Sequence, residues 1–205
     1  MVEGGHQGEL DLVLSSGFLA FARHLGFLRA IEEANVPVRG VCGTSSGALI
    51  GALWVAGLST HEIESIITAQ RPSKLLCPTP RLWRGALSLR GLLSLLKEHL
   101  PSTFEQLNHP FAVGVCNRQG DYELLSSGTL PEAVGASCAI PVVFEPVAVD
   151  DVLYSDGGAK DRLGLAQWRC ASPGAPILAH LVERTAGAAD TSLTGADEVV
   201  TSPRS

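Results

Sequence analysis

The stretch that most constrains this chain is Val38–Leu53, V-R-G-V-C-G-T-S-S-G-A-L-I-G-A-L. Val38–Cys42 is short and apolar, as a buried strand is, and Ala48–Ala56 is an apolar run of small residues long enough for a helix. Between them lies Gly43-Thr44-Ser45-Ser46-Gly47. Strand, tight turn and helix with a serine at the apex is the setting of a G-x-S-x-G nucleophile elbow. Side chains at Gly43 or Gly47 would collide as strand and helix fold together, and the turn forces strained dihedrals on the central residue. The helix that follows offers free N–H groups and the positive end of its dipole to an anion forming beside Ser45. An ordinary Gly/Ser-rich strand-to-helix turn can have the same letters, so the two flanks decide between the readings.

The segments on either side extend the pattern. Glu9–Ser15 is an apolar run that reads as the first strand, and Ala20–Ala34 reads as a helix with Phe21, Leu25, Leu28 and Ile31 on one face. With Val38–Cys42 these make a βαβ unit whose parallel strands place the Ser16–Phe18 loop and Ser45 at the same carboxyl edge. Backbone N–H groups of such a loop suit an oxyanion hole, although Ser16-Gly17 also fits a plain βα turn. Ser59-Thr60-His61-Glu62 is a capping box opening a helix to about Gln70, and Thr129-x-x-Glu132 caps a short helix from Pro131 to about Cys138. Leu87–Leu100 reads as a leucine-rich helix with basic flanks. Phe111–Arg118 with Tyr122–Leu125, and Pro146–Val149 with Val152–Ser155, read as hairpins. Ile177–Glu183 is a last strand. The expected division is a single α/β domain over residues 1–184, followed by a flexible tail over 185–205.

Charge and cysteine usage narrow the function classes. A net charge of −6 argues against general nucleic-acid binding. Six basic residues and no acid lie between Arg71 and Lys97, leaving nine basic and 21 acidic residues elsewhere. Segment Arg71–Leu100 is therefore expected to cover the site or rest on an anionic membrane, unless it is a core helix with a solvated basic edge. No apolar run reaches the roughly 18 residues of a spanning helix, and Met1–Leu10 has no basic, apolar leader; a cytoplasmic, at most peripheral, location is expected. Five cysteines, Cys42, Cys77, Cys116, Cys138 and Cys170, form no C-x-x-C pair and read as reduced thiols rather than metal ligands.

Serine needs a base. The order Ser45, Asp156, His180 matches a histidine triad, but His180 lies inside an apolar strand and only one strand precedes Ser45. Asp156-Gly157-Gly158 is the better partner, because a carboxylate at a strand end followed by two glycines can approach another loop closely. It is also a common turn sequence.

Several ordered motifs together resemble the patatin-like phospholipases. Gly43-Thr44-Ser45-Ser46-Gly47 and Asp156-Gly157-Gly158 match that family's G-x-S-x-G and D-G-G in order and spacing. Ala136-Ser137-Cys138-Ala139-Ile140-Pro141, with Phe144 and Pro146 after it, is similar to its A-S-x-A-I-P-x-x-F-x-P segment. Gly26–Ile31 is similar to its G-V-L-x-A-L helix, and the likeness runs from about Leu10 to Leu165. The resemblance implies an α/β three-layer sandwich with a mostly parallel central sheet. It also implies a lipid or acyl-ester substrate, a Ser45–Asp156 dyad working without histidine, and no metal or organic cofactor. The N–H groups of Gly17, Phe18 and Ser46 would form the oxyanion hole. The family's loop G-G-G-x-[RK]-G is altered here to Ser16-Gly17-Phe18-Leu19-Ala20-Phe21, with Arg23 the nearest basic residue. That departure keeps a low-turnover binding or regulatory protein on the same fold in view, and His180 keeps a histidine-dependent esterase or acyltransferase there as a second rival.

Overall fold

A computed structural model describes residues 8–70, 77–78, 87–183, 193 and 195–203. In chain order, β1 (Leu10–Leu14), α1 (Phe21–Glu33), β2 (Val38–Thr44), α2 (Ser46–Val55) and α3 (Thr60–Ala69) form the first half. A two-residue ladder joins β3 (Cys77–Pro78) to β4 (Leu87–Ser88), and α4 (Arg90–His99) follows. Then come β5 (Phe111–Cys116), β6 (Tyr122–Leu125), α5 (Leu130–Ser137), β7 (Val147–Val149) and β8 (Val152–Asp156). The chain closes with α6 (Leu165–Ala171), β9 (Ile177–Val182) and β10 (Glu198–Ser202).

The central sheet has the order β10-β9-β1-β2-β5-β8-β7, with β6 paired to β5. Strands β10, β9, β1, β2 and β5 are parallel; β6 and β8 run against β5. Period-2 alternation divides the core between the two faces. Leu12, Leu14, Val41, Val113 and Val115 face the larger cluster with residues of α1 to α5, while Val13, Cys42 and Ala112 face Leu165 and Trp168 of α6. Helix, sheet and helix thus make the three expected layers. Helix α2 is buried nearly all round, which is why its sequence is apolar without an amphipathic stripe.

One register detail determines where the site lies. Strand β6 occupies one edge of β5 along Val113–Cys116, so β2 and β8 share the other edge. Strand β2 pairs as far as Thr44 opposite Gly114, and β8 takes over at the next residue, with Asp156 opposite Val115. Because β2 is parallel to β5 and β8 antiparallel, they meet end to end at their C-termini.

Local signals were followed closely in most places. Ser59 and Glu62 form the reciprocal capping box, with the Ser59 N–H donating to Glu62 at 2.8 Å. The β7–β8 hairpin turns on Asp150 and Asp151, at φ 47° and 67°, as a tight two-residue hairpin turn requires. Three expectations need correction. Thr129 does not cap α5; its hydroxyl donates instead to Asp150 at 3.4 Å. Leu87 and Ser88 are not helical, because the Leu87 backbone bonds to Val143 and Glu145. Residues 198–202, assigned to a tail, form edge strand β10, where Asp197 accepts from the Ile177 N–H at 2.7 Å and ion-pairs with Arg169 at 2.8 Å.

The apolar face of α4 is also used inward: Leu92, Leu95 and Leu96 are core residues, and Lys97 pairs with Glu132 at 2.8 Å. That face thus packs inward; Arg90 is exposed on the same helix, and the other basic residues of the segment, Arg71, Lys74, Arg81 and Arg84, lie outside the described residues. No described helix is long and apolar enough to cross a membrane. Cys42 and Cys116 are buried free thiols, Cys138 is half-buried and Cys170 exposed.

Two buried histidines tie α1 to the sheet. His24 Nε2 lies 2.9 Å from the Ser15 carbonyl, which can only accept, so that nitrogen carries the proton. His24 Nδ1 then accepts from His180 Nδ1 at 2.9 Å, and His180 Nε2 accepts from the Ser202 hydroxyl at 2.8 Å. The His180 ring also stacks on Phe27. Burial holds His24 down at about 3 and His180 at about 4, from 6.5. With folded values depressed, the unfolded chain takes up these protons first as pH falls below 6.5, so stability present above 6.5 is lost toward pH 4. We expect the urea midpoint to drop between pH 7 and pH 5, and to drop less steeply in a His24→Gln/His180→Gln variant. An equally steep fall in that variant would assign the slope to other groups.

Candidate active site

Ser45 stands at the apex of the β2–α2 turn with φ 55° and ψ −118°, a strained conformation for a residue with a side chain. The glycines make it possible. A Cβ on Gly43 would stand 2.6 Å from the Gly47 carbonyl oxygen, and one on Gly47 would run into the Leu14 carbonyl. The Ser45 N–H donates to Ser137 Oγ at 2.8 Å, and that hydroxyl donates to the Gly114 carbonyl at 2.7 Å. Cys138 Sγ sits 3.4 Å from the Ser45 carbonyl. The first turn of α2 leaves the N–H groups of Ser46 and Gly47 without intrahelical acceptors. The Ser46 hydroxyl is itself buried and, among the described residues, has no hydrogen-bond partner.

Asp156 ends β8 beside this turn. Burial pushes its carboxyl up to about 6, opposed by hydrogen bonds from the Ser45 side chain and the Gly158 N–H. The Gly158 N–H donates to Oδ1 at 2.7 Å. Both glycines that follow are needed for contact. A Cβ on Gly157 would meet the Gly114 carbonyl at 2.7 Å, and one on Gly158 would meet Ser16 Cβ at 2.6 Å. The sequence-predicted pair is thus brought together, Ser45 and Asp156 lining the same cavity. His180 is not part of it, since both its nitrogens are engaged with His24 and Ser202.

Two cavities meet at Ser45. One, about 490 Å³, is apolar and runs between α2 and α4, walled by Leu49, Leu89, Leu92, Leu95 and Phe144. The other, about 420 Å³, is the more polar of the two, its wall including Ser16, Arg23, Asp156, Gly158, Arg162 and Glu183. Gly17 and Phe18 line both, so the predicted anion-binding loop lies at the junction, with Ser46 in the apolar wall. Exposed apolar side chains rim the mouth: Phe18 at 65%, Leu19 at 66% and Val142 at 88% exposure. Leu19 and Val142 are held at φ 54° and 71°, which a branched side chain such as valine rarely adopts. Arg23 donates to the Pro203 carbonyl at 2.8 Å.

Two residues in this arrangement were not singled out for a role from sequence. Ser137 was only a letter in the A-S-x-A-I-P match, and its bridge between turn and β5 depends on a contact 92 positions away. Arg162 is 4% exposed beside Ser16, and nothing in its sequence neighbourhood marks it as buried.

The sequence profile of the family described as "Patatin-like phospholipase" matches residues 12–167, three quarters of the chain. The chain belongs to the patatin-like phospholipase family. This patatin-like chain is 32% identical over 170 residues to an uncharacterised NTE family protein of Mycobacterium tuberculosis, covering 80% of this chain and 47% of the relative. A lysophospholipase NTE1 of Mycosarcoma maydis is 28% identical over 169 residues, covering 75% of this chain and 9% of that protein. The chain spans about half the length or less of these curated relatives. Among solved structures, VipD from Legionella pneumophila superposes with a TM-score of 0.58 at 16% identity, covering 85% of this chain and 50% of that one. That likeness concerns the fold.

Removing the Ser137 hydroxyl takes away the acceptor of the buried Ser45 N–H, a loss of about 1–3 kcal/mol. Ser137→Ala should lower unfolding free energy by that amount in urea titration. An unchanged midpoint would mean that the patatin-like elbow does not depend on this bridge.

Proposed function

We propose that the protein is a serine-dependent lipid acyl hydrolase of the phospholipase A or lysophospholipase kind, with Ser45 as nucleophile and Asp156 as base. The observation that carries this reading is the strained Ser45 sharing a cavity wall with the buried carboxylate of Asp156, where an apolar cavity meets one lined by charged side chains. The acyl chain lies along the apolar cavity and the ester carbonyl carbon sits over Ser45 Oγ. Asp156 takes the hydroxyl proton as Oγ bonds to the carbonyl carbon, and the carbonyl oxygen becomes an oxyanion facing the N–H groups of Gly17, Phe18 and Ser46. Collapse of this intermediate breaks the ester C–O bond, and Asp156 returns the proton to the departing alkoxide. Asp156 then deprotonates a water molecule, whose attack on the acyl-enzyme frees the fatty acid and restores Ser45.

A carboxylate with a pKa near 6 suits this work better than one near 4, being a stronger base yet still mostly ionised at neutral pH. The rival, a binding protein with little turnover, is favoured by one observation: Phe18 and Ala20 replace loop positions that are glycine and basic in the family pattern. An altered oxyanion donor slows such enzymes by about 10²–10³ without abolishing them.

A fluorophosphonate probe should label the wild type and leave Ser45→Ala unlabelled. Hydrolysis across a panel of lysophospholipid, diacyl phospholipid and triacylglycerol should fall on the order of 10³-fold or more in Ser45→Ala and Asp156→Asn. Absence of labelling and of turnover in the folded wild type would favour the binding reading. Since the base must be ionised, kcat/KM should rise with pH and reach half its plateau near pH 6. A profile flat from pH 5 to pH 8 would remove Asp156 from that role.

A further inference from the structure

Arg162 lies six residues beyond Asp156 on the segment leaving β8, and its side chain reaches back to the end of β1. Its Nη2 donates to the Ser16 carbonyl at 2.8 Å and to the Val182 carbonyl of β9, and its Nε lies 3.4 Å from Ser16 Oγ. Its own carbonyl accepts the Ser16 N–H at 2.8 Å. Ser16 is thus gripped at both ends of its backbone by one residue.

The sheet order gives this grip a direction. Strand β1 lies between β9 and β2. A guanidinium that bridges Ser16 and Val182 stands on the β9 flank of β1, whereas Ser45 stands on the β2 flank. In a trans peptide the C=O and the following N–H point in opposite directions. The described peptide bonds are all trans. With the Ser16 C=O drawn toward β9, the Gly17 N–H of the same peptide unit faces β2.

We propose that Arg162 is a positioning residue for the anion-binding loop: by holding the Ser16 carbonyl it aims the Gly17 N–H at the carbonyl oxygen of an ester bound over Ser45. The loop lacks most of the family pattern's glycines, and a side chain from the Asp156 segment does the orienting in their place. One segment thereby supplies the base and aligns a donor. The proposal rests on the hydrolase reading above.

The test uses two inhibitors of the full chain. A long-chain trifluoromethyl ketone adds to the serine hydroxyl as a tetrahedral adduct whose oxygen needs the N–H donors. The matching methyl ketone occupies the same cavity with little addition. In Arg162→Gln, kcat and affinity for the trifluoromethyl ketone should fall together by about 10- to 100-fold, with KM and methyl ketone affinity within about twofold of wild type. Arg162→Lys, which keeps the charge and one donor direction, should lie between. If both ketones weaken equally, or neither does, the positioning role is overturned. Should Arg162→Gln fail to fold in a thermal melt, the same comparison in Arg162→Lys decides, and equality with wild type overturns the proposal. A wild type whose trifluoromethyl ketone inhibition is unaffected by Ser45→Ala defeats the hydrolase reading itself. Inhibition that depends on Ser45 but not on Arg162 defeats only this inference.

Discussion

The site depends on how β5 shares one edge between two strands. Hydrogen bonding to β2 stops at Gly114 and bonding to β8 starts at Val115, so two chain segments more than a hundred residues apart must end within one strand spacing of each other. No side-chain interaction is needed to bring them there. Ladder pairing holds both ends, and Ser137 ties the same point of β5 to the turn through its hydroxyl. A slip of one residue between β8 and β5 would turn Asp156 to the opposite face of the sheet.

Around that junction, the lining changes character. Leucines wall one cavity, while the other holds two arginines and the carboxylates of Asp156 and Glu183. A hydroxyl at the boundary faces hydrocarbon on one side and ionisable groups on the other. Burial of Asp156 at this point is what raises its carboxyl.

Most of this was legible in the sequence where the signal was local. The glycines of the elbow and of Asp156-Gly157-Gly158 mark close backbone approaches, and the Ser59–Glu62 capping box and the Asp150-Asp151 turn depend on neighbours within a few positions. What escaped was set by distant contacts. Thr129 had the letters of a cap, but Asp150 took its hydroxyl. Residues 198–202 fell in the stretch expected to be tail, yet they pair with β9 alongside. Leucines with basic flanks suit a membrane surface as well as a core, and those of α4 join the core cluster beside α5. Ser137 and Arg162 carried no sequence signal because their partners are backbone carbonyls and an amide far along the chain.

The backbone at Ser45 sits where glycine is comfortable and serine is not. A glycine here would relieve that strain and remove the hydroxyl with it, so heat resistance and a hydroxyl at the apex pull in opposite directions. A folded, more heat-resistant descendant with a bare apex lies a single substitution away.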